Sequence, residues 1–230
     1  MDRGKLDGAA SADSHDRCEK TTRSRSLSIK AIVFDYGQVI SLPQDPGAVD
    51  ELAKRAGVER EKFEPFLWEL RKDYDRGIID ARGYYKNILS HLDVVLDEKN
   101  IDEMIVIDQE SWKHINHETV ALMEDVKKEG YALGILSNMP HDFLAWARKN
   151  LPVFSLPHKS LFSCEVKLLK PEEAIYRKLL SMFGVEGREL VFFDDYIDNV
   201  KGARALGIEA FLWKDPEHAR SELLSLGVRL

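Results

Sequence analysis

The chain has 230 residues, of which 44% are hydrophobic and 32% charged, and its formal net charge is -7. This composition is typical of a folded globular protein and excludes a wholly disordered chain. The excess of acidic residues argues against a general nucleic-acid-binding protein, and no apolar run reaches the roughly 18 residues of a membrane span. We therefore expect a cytoplasmic protein without nucleic-acid or membrane partners.

Residues 1–28 differ from the rest of the chain. Basic and acidic side chains alternate there with Ser, Thr, Gly and Ala, and large apolar residues are nearly absent. Such a segment cannot bury enough surface to offset the entropy lost on ordering, so we predict a disordered tail. The two cysteines, Cys18 and Cys164, form no metal or redox spacing, and a disulfide is not expected.

Four apolar segments are predicted to be buried strands: 29–34, 132–136, 190–193 and 208–213. Segments with helical periodicity lie between and before the later strands. Because strands that alternate with helices are typical of a parallel sheet, we predict a doubly wound α/β core. This core comprises residues 29–44 and 116–230.

Residues 45–115 interrupt this alternation, because their apolar positions fall at helical spacing throughout. Asp80 is a predicted N-cap, and Gly77 is a predicted break between helices. We therefore predict a small all-α domain inserted after the first strand. The aromatic side chains expected in its core are Phe63, Phe66 and Trp68.

Polar residues stand where the predicted strands end. They are Asp35 after the first strand, Ser137 and Asn138 after the second, and Asp194 and Asp195 after the third. Since ligands bind beyond the carboxyl ends of the strands in open α/β sheets, these residues are candidates for one site. Lys170 is a further candidate, because Pro171 is favoured at the start of a helix and would hold Lys170 in an extended conformation before it.

A carboxylate, a hydroxyl, an ammonium and an acidic pair together suit phosphoryl transfer through an aspartyl-phosphate. Neighbouring carboxylates need a hard cation such as Mg²⁺ to hold them together. The hydroxyl, the ammonium and the N–H groups at helix starts can bind the phosphoryl oxygens.

The order of these motifs resembles the phosphatase branch of the haloacid dehalogenase superfamily that carries a helical cap after the first strand. The resemblance covers residues 29–230. Four motifs carry it: the Asp35 loop, Ser137, Lys170-Pro171, and the segment 192–203 with Asp195 and Asn199. It implies a Rossmann-like core and a small helical cap, residues 45–115, that closes over the site and selects the substrate.

The resemblance also implies an activity and a set of roles. The activity is Mg²⁺-dependent hydrolysis of a small phosphate monoester, with a sugar phosphate as one candidate, by a monomer or weak dimer. The implied catalytic nucleophile is Asp35, the metal ligands are Asp35, the Gly37 carbonyl and Asp195, and the phosphoryl-binding residues are Ser137, Asn138 and Lys170. Asp194 is expected to support the site, and Asn199 to support it or to bind the metal.

Gly37 departs from the family pattern, because most family phosphatases carry an Asp there as general acid. The motif Asp-x-Gly-x-Val-Ile resembles that of a sub-branch of sugar-phosphate phosphatases with Gly at this position. A protein that binds phosphorylated metabolites without turnover is one alternative. A 2-haloacid dehalogenase, which also uses an Asp nucleophile, is another. A signalling receiver domain is disfavoured, because its acidic pair precedes the phosphorylated Asp.

Overall fold

The computed structural model describes residues 28–230, and these fold around a five-stranded parallel sheet. The strands are β1 (Ala31–Phe34), β2 (Ala132–Ser137), β3 (Lys159–Phe162), β4 (Leu190–Asp194) and β5 (Glu209–Leu212). Their order is β3-β2-β1-β4-β5, so the first strand lies at the centre. The predicted doubly wound parallel α/β fold is confirmed. The tail predicted for residues 1–28 lies outside the described residues, apart from Ser28.

Both faces of the sheet are covered, because successive residues of a strand point to opposite faces. Ile32 and Phe34 of β1 belong to one cluster of buried side chains, and Ala31 and Val33 to another. This double burial explains why β1 is a continuous apolar run. The helices of the described residues are α1 (Pro46–Ala56), α2 (Arg60–Glu69), α3 (Arg71–Asp75), α4 (Ala81–His91), α5 (Glu98–Ser111), α6 (His117–Lys128), α7 (His141–Asn150), α8 (Ser163–Val166), α9 (Glu173–Phe183), α10 (Ile197–Arg204) and α11 (Pro216–Ser225).

The edge strand β3 is not predicted from the sequence. Of its four residues only Leu161 and Phe162 are buried, while Lys159 is exposed. An edge strand has one open side and often carries charged residues, which hide the apolar pattern. β3 pairs in parallel with β2, and Ser137 lies opposite Phe162.

Helices α1–α5 form the helical insert, which has a hydrophobic cluster of its own. Four large aromatic side chains are fully buried in this cluster: Phe63, Tyr74, Tyr84 and Tyr85. The stacked rings of Tyr74 and Tyr84 join α3 to α4, with their centroids 4.5 Å apart. No helix among the described residues is long and apolar enough to cross a membrane.

Two local predictions for the helical insert are confirmed and one is wrong. Asp80 caps α4 by accepting a hydrogen bond from the Gly83 N–H at 2.8 Å, and Gly77 follows α3 with a φ of 68°. Trp68, expected in the core, is 46% exposed. Its neighbour Leu67 faces the cluster, and each further helical residue turns by about 100°, which carries Trp68 away from it.

The end of α3 and the loop after it are bonded to the part of the molecule that contains the sheet. Arg76 pairs with Glu172, Lys167 donates to the Gly77 carbonyl, Ser163 donates to the Asp75 carbonyl, and the Ala81 N–H donates to Asp142. These bonds hold one end of the helical insert against the helices and loops that follow β2 and β3.

Candidate active site

Three neighbouring strands end in residues that the sequence assigns to one site. Asp35 follows β1, Ser137 closes β2 and Asp194 closes β4. Since β1 lies between β2 and β4 and all three run parallel, these ends meet at one edge of the sheet. The backbone of Asp35 is fixed there because its N–H donates to the Phe193 carbonyl at 2.9 Å.

Lys170 lies at the centre of this edge. Its Nζ is 2.8 Å from Asp35 Oδ1 and 2.6 Å from Asp194 Oδ2, and it also donates to the Leu136 carbonyl at 3.2 Å. The side chain is 1% exposed. Burial alone would lower the pKa of Lys170, but the two carboxylates outweigh burial and hold this pKa above its usual value. The ammonium is therefore a permanent positive charge beside Asp35.

Asp35, Asp194 and Asp195 form a carboxylate cluster, in which one oxygen of each lies within 4.8 Å of the others. Burial raises the pKa of Asp35 to about 7, although Lys170 opposes this rise. Burial, reinforced by Asp194, raises the pKa of Asp195 to about 6. One ammonium among three carboxylates leaves an excess of negative charge, which a divalent cation would offset.

The oxygens of Asp194 are already occupied by protein donors. Oδ2 accepts from Lys170, and Oδ1 accepts from Asn199 Nδ2 at 2.9 Å and from the Tyr196 N–H at 2.8 Å. These bonds fit the supporting role expected for Asp194, and they place Asn199 against that carboxylate. Asp195 differs, because its Oδ2 accepts from the neutral amide of Gln38 at 2.7 Å.

Asn138 holds the backbone on both sides of Lys170. Its Oδ1 accepts from the Lys170 N–H at 2.9 Å, and its Nδ2 donates to the Lys170 carbonyl at 3.0 Å. The side chain is therefore committed to positioning the lysine, and a contact with phosphate would fall to the backbone N–H of Asn138. Pro171 lies in a turn, and α9 begins two residues later than predicted, at Glu173.

A cleft of about 70 Å³ opens beside these residues. It is lined by Tyr36, Gly37, Arg71, Trp112, Ser137, Asn138, Met139, Pro140 and Phe143. Ser137, which the sequence predicts to bind phosphate, is only 3% exposed and forms part of this wall. The helical insert contributes Arg71, and Trp112 follows its last helix.

Arg71 is a buried cation of the helical insert. Its Nε donates to Asp75 Oδ1 at 2.9 Å, and its Nη1 lies 3.4 Å from Asp108 Oδ2. The guanidinium also lies 5.3 Å from the ring centroid of Tyr74. Burial would lower the pKa of Arg71, but the two carboxylates raise it above its usual value. These contacts fix the guanidinium in one orientation at the cleft.

Sequence reasoning missed three of the residues at this site. Arg71 and Trp112 belong to a segment whose helical spacing predicts packing and not chemistry. The third, Gln38, follows Gly37 and has a φ of 58°, and its side chain reaches Asp195. A polar side chain in the loop that follows Asp35 was the one signal that could have identified Gln38.

The chain is similar to known hydrolases. Residues 29–207 match the family model described as haloacid dehalogenase-like hydrolase. A curated phosphatase of Mycobacterium tuberculosis is 26% identical over 193 residues, which cover 81% of this chain and 88% of that protein.

Two solved structures show the same fold. One is a HAD family enzyme of Bacteroides thetaiotaomicron in complex with magnesium and inorganic phosphate, with a TM-score of 0.69, 23% identity and coverage of 84% of this chain and 99% of that chain. The other is a 2-haloacid dehalogenase of Pseudomonas syringae pv. Tomato, with a TM-score of 0.60, 18% identity and coverage of 86% and 99%.

Proposed function

The chain belongs to the haloacid dehalogenase-like hydrolase family, and from that premise we propose that it is a Mg²⁺-dependent phosphatase of a small phosphate monoester. The observation that supports this most is the buried Lys170 between Asp35 and Asp194, with Asp195 beside them. A buried ammonium can neutralise a phosphoryl group next to a nucleophilic carboxylate. A haloacid carries no phosphoryl group, so a haloacid dehalogenase would not need this arrangement to bind one.

The carboxylate cluster fits Mg²⁺, because this ion prefers oxygen ligands and binds through carboxylates together with substrate phosphate oxygens. The ligands that we assign are Asp35, Asp195 and the Gly37 carbonyl. When bound, Mg²⁺ would neutralise the excess negative charge and draw a phosphoryl oxygen towards Asp35. Asp194 contributes through Lys170, since its own oxygens are occupied.

Asp35 is the nucleophile in this proposal. Its Oδ1 accepts hydrogen bonds from the Tyr36 N–H at 2.7 Å and from Lys170 at 2.8 Å. Its Oδ2 has no hydrogen-bond partner within residues 28–230. The two bonds orient the carboxylate, and the second oxygen is left to attack phosphorus.

The phosphoryl oxygens would be held by Lys170 Nζ, by the Ser137 hydroxyl and by the backbone N–H of Asn138. Lys170 neutralises charge before, during and after the displacement, because it is buried and permanently ionised. The Asn138 side chain acts on this step through the lysine backbone that it holds.

The helical insert, within residues 45–115, is the cap of this proposal. It bounds the space beyond the phosphoryl group with Arg71, and Trp112 adds an aromatic wall. A leaving group has to fit between these side chains and Phe143 of α7. The cap therefore limits which esters place their phosphorus beside Asp35.

The test is release of inorganic phosphate from a panel of hexose, pentose, triose and aryl phosphates in the presence of Mg²⁺. We expect turnover that EDTA abolishes and that added Mg²⁺ restores, with Asp35→Asn as the inactive control. Binding of these esters without release of phosphate would contradict the proposal and favour the alternative of a binding protein. Chelator-resistant release of chloride from 2-chloropropionate would favour the dehalogenase.

A further inference from the structure

Gly37 lines the cleft and lies two residues after Asp35, the proposed nucleophile. Its φ of -61° and ψ of 128° are accessible to any residue, so the backbone does not require glycine here. A Cβ added to Gly37 would meet one described side chain within 4 Å, the ring of Trp112 at 3.7 Å. The position thus has room for a side chain, and none is present to deliver a proton.

None of the other described side chains that line the cleft can act as a general acid in place of a side chain at position 37. The Tyr36 hydroxyl already donates its proton to the Trp112 carbonyl at 2.7 Å, so it is not directed at a leaving group. Arg71 stays charged beside its two carboxylates. The Ser137 hydroxyl can donate a hydrogen bond but does not ionise near neutral pH. The described residues that line the cleft include no carboxyl and no imidazole group.

The carboxylates near the cleft are committed to other partners. Asp75 and Asp108 bind the guanidinium of Arg71 and are not part of the cleft wall. Asp195 accepts from Gln38 and belongs to the carboxylate cluster. Among the described residues, a leaving group in the cleft therefore meets hydrogen-bond donors but no general acid.

The absence of a general acid matters most for esters of weakly acidic alcohols. Such an alcohol departs from phosphorus as a strongly basic alkoxide unless a proton reaches its oxygen, and a general acid typically contributes about 10²–10⁴-fold to the rate. A departing phenolate or enolate delocalises its negative charge over its own π system. The rate for its ester depends far less on protonation.

On the basis of the phosphatase function above, we propose that this site acts on phosphate monoesters of acidic hydroxyl compounds, with aryl phosphates as the class that fits the cleft. The cleft wall supports this class, because Tyr36, Phe143 and Trp112 all line it; Tyr36 and Phe143 pack against each other with their ring centroids 5.5 Å apart. Aromatic surfaces favour offset or edge contacts with another ring.

The reaction balances without a protein acid. Asp35 Oδ2 forms a bond to phosphorus as the bond between phosphorus and the aryl oxygen breaks, and the bonding electron pair leaves with the aryloxide. The aryloxide takes its proton from bulk water after it departs. A water oxygen then attacks phosphorus, the bond to Asp35 breaks with its electron pair returning to the carboxylate, and dihydrogen phosphate leaves.

The experiment compares phenyl phosphate with benzyl phosphate at saturating Mg²⁺. The two esters differ by one methylene group, but benzyl alcohol is a far weaker acid than phenol. We expect kcat/KM for phenyl phosphate to exceed that for benzyl phosphate by at least about 10²-fold, the lower bound for a missing general acid. A series of substituted phenyl phosphates should show kcat rising steadily as the phenol becomes more acidic.

Two variants of Gly37 give the matched comparison. Gly37→Asp supplies a carboxyl group at a position whose backbone accepts it, and Gly37→Asn supplies the same volume without an ionisable proton. We expect Gly37→Asp to raise benzyl phosphate turnover relative to phenyl phosphate by about tenfold or more, and Gly37→Asn to leave that ratio unchanged. Melting temperature and Mg²⁺ affinity, measured on both, show whether each variant retains its site.

The inference is overturned if the wild-type protein hydrolyses both esters at rates within about tenfold of each other, because a general acid must then be present. That outcome leaves the phosphatase function intact. A protein that releases phosphate from neither ester, nor from any ester of the wider panel, overturns the proposed function and this inference with it.

Discussion

Arg76, which follows α3, and Glu172, in the loop before α9, form a bidentate ion pair between the helical insert and the part of the molecule that contains the sheet. Their Nη1–Oε2 and Nη2–Oε1 distances are 3.2 and 2.5 Å. The hydrogen bond from Arg76 lowers the pKa of Glu172. Glu172 Oε2 also accepts from the Leu169 N–H at 3.2 Å, so the same carboxylate holds the loop that carries Lys170.

Arg76→Ala should therefore affect catalysis more than stability. We expect kcat/KM to fall by about tenfold, because a displacement of about 1 Å at a catalytic group can cost about 10²-fold. Both side chains are partly exposed, at 26% and 39%, so the loss of unfolding free energy should stay below about 1 kcal/mol.

The matched control for Arg76→Ala is Arg82→Ala. Arg82 pairs with Asp102 at 2.8 and 2.7 Å inside the helical insert and makes no contact with the Lys170 loop. Steady-state kinetics and thermal unfolding of both variants check the prediction. Equal kinetics for the two variants would show that the ion pair does not position Lys170. The exchanged pair, Arg76→Glu with Glu172→Arg, should recover part of the lost activity.

Asp35→Asn should fold normally and release no phosphate. An amide oxygen is a poor nucleophile and cannot form the aspartyl-phosphate. The substitution also removes one charge from a crowded carboxylate cluster, so the melting temperature should not fall by more than a few degrees. Phosphate release and circular dichroism check this prediction. Turnover above about 1% of the wild-type rate would contradict the assignment of Asp35 as the nucleophile.

Asp195→Ala should weaken Mg²⁺ binding more than it weakens the fold. The substitution removes a carboxylate that, unlike Asp194, is not paired with Lys170. Titration of Mg²⁺, followed both by activity and by the rise in melting temperature that a bound ion causes, should give a weaker apparent affinity. Asp198→Ala is the control, since Asp198 is exposed and pairs with Lys201. Identical titration curves for wild type and Asp195→Ala would refute the metal assignment.

Lys170→Met should destabilise the protein strongly. It leaves Asp35 and Asp194 as buried carboxylates without their ammonium partner, and removing one member of a buried ion pair costs about 3–5 kcal/mol. The melting temperature should fall by on the order of 10 °C. Mg²⁺ should restore part of the loss, because it neutralises the same carboxylates.

The control for this stability measurement is Lys201→Met, which breaks an exposed pair and should change the melting temperature little. A wild-type melting temperature for Lys170→Met would show that the ion pair does not stabilise the fold. The result would also question the charge balance on which the metal site depends.

The strand ends of the site are predictable from sequence because parallel strands deliver their last residues to one edge. Asp35, Ser137 and Asp194 follow recognisable apolar runs, so their shared location can be predicted from the sequence alone. Lys170 is predictable only from its motif, since no strand ends there. The edge strand β3 escapes prediction because just two of its residues are buried.

The contribution of the helical insert to the site could not be predicted. Arg71 lies in a segment whose apolar spacing is typical of amphipathic helices, and Trp112 directly follows its last helix. Their position at the cleft depends on how this segment packs against the part of the molecule that contains the sheet. The role of Asn138 is hidden for a similar reason, because its partner is the backbone of a residue far along the chain. Such contacts between distant segments leave no local pattern.

The central position of β1 also determines when the site can assemble during folding. Ala31 pairs with Ala132 on one side and with Leu190 on the other, so both neighbours of β1 come from distant parts of the chain. Closing such long loops loses entropy and slows folding. The helical insert shortens the first loop, because the Leu42 N–H bonds to the His114 carbonyl at 2.7 Å and closes its base. A nascent chain that ends before β4 thus contains β1, the helical insert and Lys170 but lacks Asp194 and Asp195, so the carboxylate cluster can form only after β4 has been synthesised.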